Sequence, residues 1–407
     1  MFYLKNPVGR IVVVDTQGEY DNWLTKDGFA AATKEQIDEF TIGRIKLIDD
    51  MKKAAVVTHQ VGDGIYFATV SPGGNDGYGV ASGLLIREMQ KLGLTIKTYF
   101  DRQRLAFLFH NPYSLPNLDT SYRIIYTMFE SDKIPDEWIE YLKIADRVLV
   151  PSKWCASVFA KSGIDATVVP LGYDDAIFKP QDRVIKSENR EPFCFLHYNA
   201  YNARKGHLEV FKAFTEEFEL DEPVKLILKT TVPDPYKRFP INQNIYRNIE
   251  IITGKVMPLE LQTLMARSDC FVFPSRGEGF GVPPIECMAT GMPAIVPNAH
   301  GISEYFNADY MYEVAVAGET PALYSRYKGM DVGKMVLCDV KDLRRQMRYV
   351  YEHQQEAHDK GLAASDYAKQ WTIGKTAGML KDIIESVITQ PARQQVVSNF
   401  LLLEPVR

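Results

Sequence analysis

Short apolar runs alternate with amphipathic stretches through the first half of the chain. Each run is short and bounded by turn residues, as expected of a buried strand. The runs lie at 65–71, 95–100, 105–109, 123–128 and 147–151. Helical spacing of apolar residues occurs at 80–92, 134–145 and 153–162. Strands that alternate with helices predict a parallel sheet of the Rossmann-like kind.

The second half repeats this alternation and ends in helices. Apolar, strand-like runs occur at 192–198, 224–229, 248–256, 270–273 and 294–296. Helical patterns lie between them at 207–219, 259–268 and from 283 to about 290, and three more follow at 340–353, 360–371 and 373–387. A long loop is expected from Glu304 through Gly329. The pattern therefore predicts a second parallel sheet and an α/β fold.

Chain length favours two domains, because 407 residues exceed what one hydrophobic core usually supports. We assign 63–180 to an N-terminal Rossmann-like domain and 181–387 to a C-terminal one. The charged, aperiodic stretch 181–191 is a candidate hinge. Residues 1–62 form an appended subdomain, and 388–407 form a tail.

Composition narrows the class of protein. The net charge of −5 is spread along the chain, so nucleic-acid or anionic-membrane binding would need a local basic patch. Five widely spaced cysteines indicate buried thiols in a reducing compartment. The N-terminus is unlike a signal peptide and no run of 18 apolar residues occurs, so we expect a cytoplasmic, soluble protein.

The segment with the most candidate ligand-binding residues is 271–302, FVFPSRGEGFGVPPIECMATGMPAIVPNAHGI. A buried strand leads into a loop with three glycines, where the backbone can approach a ligand closely. Pro283 and Pro284 begin a helix whose first amides are free to meet an anion. Glu278 lies on the loop and Glu286 in the first turns of the helix, so both carboxylates can face one pocket.

This segment resembles the donor-site signature of retaining GT-B glycosyltransferases of family 4, in which two glutamates separated by seven residues flank a Gly-Phe-Gly turn. The resemblance covers about 65–387. It implies two Rossmann-like domains that face each other across a cleft. It also implies that Glu286 binds the ribose of a nucleotide-diphosphate sugar. Glu278 and the amides of Gly279, Phe280 and Gly281 would then contact the transferred sugar and the diphosphate.

Other donor contacts follow from the same resemblance. Lys205 matches the family's Lys-Gly diphosphate contact, but Asn199 stands where an arginine is usual. Arg204 or Lys229 would supply the second positive charge. The backbone around Lys255 and Met257 would hold the nucleobase, and Gly77 and Gly79 would lie across the cleft from the diphosphate.

The acceptor side offers fewer candidates. His110 and Glu130 follow predicted strands, and ligands of parallel sheets bind beyond strand ends. Both are candidate bases for the acceptor hydroxyl. Glu278 is the third candidate catalytic residue. The resemblance implies retention by a front-face displacement, and we assign no covalent nucleophile. No Asp-any-Asp motif occurs, so a metal-independent reaction without a cofactor is expected.

The chain ends suggest partners. A strand near 10–14 and a capped amphipathic helix after Thr33, with Ile37, Phe40, Ile45 and Ile48 as its apolar positions, are expected in the appended subdomain. It either covers a sheet edge or recognises the acceptor. The apolar tail segment FLLLEPV is expected to pack on a domain or on a second copy of the chain.

Several functions stay open at this point. The acceptor of a glycosyltransferase could be a cell-envelope saccharide or lipid, which we favour, a protein, or a hydroxymethylated DNA base, as in viral enzymes. A sugar-nucleotide isomerase or phosphorylase would share Glu286 and Lys205. A non-catalytic sugar-nucleotide-binding protein is the third class, because function resides in sites rather than folds.

Overall fold

The fold consists of two six-stranded sheets, a small three-stranded sheet and a two-stranded hairpin within the residues that the structure describes. The computed structural model of the chain describes residues 2–5, 11–14, 21–22, 24–25, 30–38, 62–69, 77–101, 103–183, 185, 191–231, 246–254 and 256–388. Lys255 and the tail segment lie outside these residues.

The small sheet lies within the residues that the sequence assigns to an appended subdomain. It is antiparallel, in the order β2-β1-β3, and its strands are β1 (Phe2–Lys5), β2 (Ile11–Val14) and β3 (Ala30–Ala31). Helix 34–38 follows, and its start is capped reciprocally by Thr33 and Gln36, as a capping box requires. The predicted apolar positions Phe40, Ile45 and Ile48 lie outside the described residues.

The first six-stranded sheet is parallel and has the order β5-β4-β6-β7-β8-β9. Its strands are β4 (Gly62–Ala68), β5 (Ile96–Lys97), β6 (Gln103–Phe109), β7 (Tyr122–Tyr126), β8 (Arg147–Val150) and β9 (Thr167–Val168). Its helices are α1 (Gly77–Lys91), α2 (Asp136–Leu142) and α3 (Lys153–Lys161). Ser152 caps α3 through the amide of Cys155, as predicted.

The second six-stranded sheet is also parallel, in the order β12-β11-β10-β13-β14-β15. Its strands are β10 (Phe193–Asn199), β11 (Val224–Thr230), β12 (Ile249–Thr253), β13 (Cys270–Val272), β14 (Ala294–Val296) and β15 (Tyr312–Glu313). Its helices are α4 (His207–Glu217), α5 (Pro258–Ala266) and α6 (Val282–Ala289). The prediction of two Rossmann-like units is confirmed.

Three helices close the described chain. They are α7 (Val340–Glu352), α8 (Gln354–Ala368) and α9 (Ile373–Ile388). Helix α8 begins six residues earlier than predicted, because the backbone leaves helical geometry only at His353. Helix α9 returns to the first domain and packs on α1, where the Lys381 ammonium donates to the carbonyl of Leu92 at 3.0 Å.

The prediction of a long loop after Glu304 is wrong in part. It contains β15 and then an antiparallel hairpin of β16 (Val316–Pro321) and β17 (Lys334–Cys338). We call residues 316–338 the cross-domain hairpin, because Tyr327 and Val332 pack in the core of the first sheet. The segment VAGETP of β16 has no apolar alternation and is mostly exposed, so it gives no strand signal.

Candidate functional site

The glycine loop of the second sheet lies directly against the first. It runs from the end of β13 to the start of α6, where Gly281 adopts a left-handed φ of 87°. A Cβ at Gly277 would collide with the carbonyl oxygen of Glu130, and one at Gly279 would lie 2.6 Å from the Met128 side chain. The sequence suggested ligand approach as the reason for these glycines. The structure adds another, because two of them permit the loop to contact the first domain.

A second contact joins the same two regions. The Ser152 hydroxyl, at the start of α3, donates to the carbonyl of Gly279 at 2.8 Å. One residue further on, the Lys153 amide donates to Glu304 Oε2 at 2.7 Å. Residues after β7 and at the start of α3, both in the first domain, therefore hold the loop at the seam between the sheets.

The carboxylate of Glu278 is buried and receives three donors on one oxygen. Glu278 is 6 % exposed, and its Oε1 lies 2.6 Å from Lys205 Nζ, 2.6 Å from Ser275 Oγ and 3.2 Å from Arg204 Nη1. Burial alone would raise the pKa of Glu278. The Lys205 and Arg204 charges and the hydrogen bonds outweigh burial and hold this pKa at about 2. Glu278 is thus an anion at any physiological pH.

Local backbone geometry brings the two cations to Glu278. A short 3-10 helix, Ala203–Lys205, is capped by the Asn202 side chain and ends at Gly206, whose φ is 76°. A Cβ at Gly206 would collide with the carbonyl of Pro274 at the start of the glycine loop. The Lys-Gly pair identified in the sequence therefore places this turn against the loop that carries Glu278.

Arg204 links the two domains electrostatically. Its Nη2 donates to Glu130 Oε1 at 3.2 Å, and its Nη1 donates to the carbonyl of Gly277 as well as facing Glu278. The Tyr324 hydroxyl of the cross-domain hairpin donates to Glu130 Oε2 at 3.2 Å. Burial would lower the pKa of Arg204, but the charges of Glu130 and Glu278 raise it above its usual range. Four predicted site residues, Glu130, Arg204, Lys205 and Glu278, thus form one cluster.

Glu286 forms a separate pair with Tyr198. The Tyr198 hydroxyl donates to Glu286 Oε2 and, at 3.3 Å, to the carbonyl of Pro283 in the first turn of α6. Burial raises the pKa of Glu286 to about 7, with Asp174 adding to the rise and the Tyr198 hydrogen bond opposing it. This carboxyl is poised to change its charge near neutral pH, unlike that of Glu278.

Lys229 lies beside this second pair in the sheet. It is in register with Tyr198 on the neighbouring strand, and it is 9 % exposed. Burial lowers the pKa of Lys229. Met257 is 55 % exposed at the start of α5, and its amide donates to Glu260 Oε2 at 2.7 Å.

The remaining predicted residues lie at the start of α1 and inside the core. Gly77 begins α1 with open space around its Cβ position, and Gly79 is buried within the same first turn. The His110 ring meets the Tyr78 ring edge to face, with 5.1 Å between centroids, so His110 belongs to this region of the first domain. Phe280 is 1 % exposed and packs on Tyr305, which leaves only its backbone for a ligand.

Three residues of the site were not predicted from the sequence. Ser275 precedes the glycine loop and could have been found as the polar residue that ends a buried strand. Tyr198 looks like one more apolar strand position, and Tyr324 lies where a loop was expected. Only the three-dimensional structure brings these hydroxyls to carboxylates.

The residues that the structure describes hold neither a candidate metal centre nor a candidate membrane span. In those parts of the chain, no three or more His, Cys, Asp or Glu side chains are grouped so that they could hold a metal ion. No helix there is both long and apolar enough to cross a membrane.

The chain is similar to known proteins over part of its length. Residues 178–321 match the family described as Glycosyl transferases group 1. The provisionally named glycosyltransferase 41 of Sulfolobus islandicus filamentous virus is 28% identical over 178 residues, which are 44% of this chain and 46% of that protein. The provisionally named glycosyltransferase ORF313 of Acidianus filamentous virus 1 is 24% identical over 267 residues, 63% of this chain and 78% of that protein. The chain thus spans about half the length of the first of these relatives.

Solved structures show the same fold. A crystal structure of Anabaena HepE in complex with UDP-glucose matches with a TM-score of 0.59 and 12% identity, covering 79% of this chain and 99% of that one. The two parallel sheets and this likeness confirm the predicted GT-B architecture. The segment that matches the group 1 glycosyltransferases contains Arg204, Lys205, Glu278 and Glu286.

Proposed function

We propose that the protein is a retaining glycosyltransferase that moves a sugar from a nucleotide-diphosphate sugar to a hydroxyl group. The observation that carries the proposal is the convergence of Arg204 and Lys205 on Glu278 at the seam between the two domains. Two largely buried cations beside a glycine loop and a helix start are suited to a diphosphate. HepE, which shares the fold, was crystallised with UDP-glucose, and this supports a nucleotide-sugar donor here.

The donor would bind mainly to the second domain. Glu286, when ionised, would accept hydrogen bonds from the ribose hydroxyls in place of the one from Tyr198. Lys205, Arg204 and the amides at Gly279, Phe280 and Gly281 would hold the diphosphate. Glu278, fixed by Ser275 and Lys205, would lie next to the anomeric carbon of the sugar and orient the sugar for transfer.

The proposed reaction is a front-face displacement. The bond between the anomeric carbon and the diphosphate oxygen breaks, and the diphosphate leaves with the electron pair. The acceptor oxygen bonds to the anomeric carbon on the same face, and its proton passes to the departing phosphate oxygen. Arg204 and Lys205 stabilise the charge that develops on the diphosphate, so the reaction proceeds without a metal ion. Glu130 and His110 remain the candidates for assisting the acceptor.

The acceptor that we propose is a hydroxyl of a saccharide or lipid. The net charge of −5 disfavours a polyanionic acceptor such as DNA, because phosphate contacts dominate nucleic-acid affinity. A panel containing a saccharide, a lipid-linked saccharide and hydroxymethylated DNA tests this choice directly. Transfer to the DNA alone would overturn it without affecting the donor assignment.

Thermal denaturation with UDP-, GDP- and ADP-sugars, in the presence of EDTA, tests the donor site. One donor should stabilise the protein, by about 2.7 kcal/mol at a hundred times its Kd. Glu286→Ala should abolish this shift, whereas Glu319→Ala, which alters an exposed side chain, should keep it. Release of nucleotide diphosphate in step with glycosylated product separates a transferase from a binding protein. A shift that persists in Glu286→Ala would reject the ribose assignment.

A further inference from the structure

The cross-domain hairpin extends from the second domain onto the first and is fixed there at several points. The Ser131 hydroxyl donates to the carbonyl of Val332 at 2.5 Å, and the Asp132 and Lys334 backbones are joined at 3.1 Å. At its tip, the Tyr327 hydroxyl lies 3.1 Å from the indole nitrogen of Trp138. The hairpin therefore has a defined position over the strand end that leads to Glu130.

Tyr324 is the hairpin residue that contacts the cluster. Its hydroxyl donates to Glu130 Oε2 at 3.2 Å, while the other carboxylate oxygen of Glu130 accepts from Arg204 at 3.2 Å. The Tyr324 ring packs on Phe129, with 5.0 Å between ring centroids. Burial and the Glu130 charge both raise the pKa of Tyr324, which keeps its hydroxyl a hydrogen-bond donor.

This arrangement limits how strongly Glu130 binds Arg204. A carboxylate and a guanidinium favour a bidentate pair, in which both oxygens meet the same guanidinium. Tyr324 holds one of the two oxygens away from Arg204, so the pair stays monodentate. The guanidinium then retains N–H groups for Gly277, Glu278 and an incoming anion.

We infer that Tyr324 is a positioning residue for donor binding: by holding one oxygen of Glu130, it keeps Arg204 available to the diphosphate of the donor. The inference rests on the proposed function and extends it to a residue outside the glycine loop and the Lys-Gly turn. The hairpin of the second domain would thus regulate a contact between the two domains at the donor site.

Isothermal titration of a nucleoside diphosphate into the chain of 407 residues tests this. Tyr324→Phe removes the hydroxyl and keeps the ring, so Glu130 can turn both oxygens to Arg204 and compete with the diphosphate. We expect the Kd to rise about three- to tenfold, as loss of one hydrogen bond allows. In a Glu130→Gln background no such competition exists, so Tyr324→Phe should change the Kd less than about twofold. A pure loss of stability would not produce this dependence on Glu130.

Tyr327→Phe is the matched control. It removes a hydroxyl from the same hairpin, but one that contacts Tyr113 and Trp138 instead of Glu130. It should lower the melting temperature and leave the Kd unchanged. Equal effects of both variants on the Kd, or the same effect of Tyr324→Phe with and without Glu130, would overturn the inference. If the wild-type chain binds no nucleoside diphosphate, the proposed function itself is overturned; if it binds and Tyr324→Phe binds equally well, only this inference fails.

Discussion

The Lys205 ammonium lies 2.6 Å from Glu278 Oε1, inside a protein seam where both side chains are largely shielded from water. Glu278→Gln would leave the positive charges of Lys205 and Arg204 without this partner. Removing one member of a buried ion pair typically costs about 3–5 kcal/mol, because the other charge stays buried. We expect a lower melting temperature in Glu278→Gln, measured by scanning calorimetry in the absence of ligand.

Glu319 provides the control for this variant. It pairs with Lys334 at 3.1 Å, but both side chains are more than half exposed. Exposed pairs contribute about 0–1 kcal/mol, so Glu319→Gln should leave the melting temperature almost unchanged. Equal losses in the two variants would show that Glu278 is not in a shielded cluster. Added diphosphate should restore part of the stability of Glu278→Gln, since it supplies negative charge to the same cations.

We predict that the affinity of the proposed donor depends on pH near neutrality through Glu286. Its pKa is raised to about 7 by burial, so the carboxyl is largely protonated at pH 6 and ionised at pH 8. Only the ionised form can accept hydrogen bonds from both ribose hydroxyls without a rotation of its own proton. Donor affinity, measured by titration from pH 6 to 8, should therefore increase as the pH rises through 7.

The same pKa makes an opposite prediction for stability. The usual pKa of a glutamate is 4.5, and that of Glu286 in the folded state is about 7. Between these two pH values the folded state holds a proton that the unfolded state has released. The stability contributed by neutral Glu286 is thus present below pH 4.5 and is lost as the pH rises through 7. Glu286→Gln should remove both trends. A donor affinity that stays pH-dependent in this variant would assign the titration to another group.

The sequence predicted the alternation of strands and helices because parallel sheets bury nearly continuous apolar runs, such as β10 and β6. It also predicted Glu130, Arg204, Lys205 and Glu278 as site residues, and the structure brings these four together. The cross-domain hairpin was not predicted. Its strand β16 is exposed, so apolar periodicity cannot reveal it.

Partners of site residues were harder to predict than the residues themselves. Tyr198 and Tyr324 are tyrosines in segments that give no polar signal, and each meets a carboxylate that lies far away in the sequence. Glu278 joins a cluster of charged side chains, whereas Glu286 pairs with Tyr198, and this difference arises from packing and is not visible in the sequence. Two glutamates eight positions apart look equivalent in sequence, yet one has a lowered pKa and the other a raised one.

Gly277 should be intolerant of a side chain, because a Cβ there would lie only 2.1 Å from the carbonyl oxygen of Glu130. In Gly277→Ala the loop must withdraw from the first domain, which moves Glu278 and Arg204 away from Glu130. We expect at least a tenfold loss of transfer activity.

A glycine in open space is the matched control for Gly277. Gly378 lies inside α9, and apart from the backbone of its own helix no atom lies within 4 Å of its Cβ position. Gly378→Ala should stabilise the helix by about 0.5–1 kcal/mol, since alanine is the better helix former. It should leave transfer unchanged. Unaltered activity in Gly277→Ala would contradict the contact between the loop and the first domain.

Arg183 should be a main support of the helix that carries Glu286. Its guanidinium donates to the carbonyls of Met265 and Thr290, at the ends of α5 and α6, and to that of Ser268 at 2.5 Å. A cation at two helix C-termini satisfies carbonyls that have no helical partner and complements both helix dipoles. Arg183→Met should therefore lower stability by about 2–4 kcal/mol, measured as a fall in melting temperature. Arg267→Met, at the end of the same α5 but in an exposed pair with Glu250, should change it by less than about 1 kcal/mol. Similar losses in the two variants would refute the capping role of Arg183.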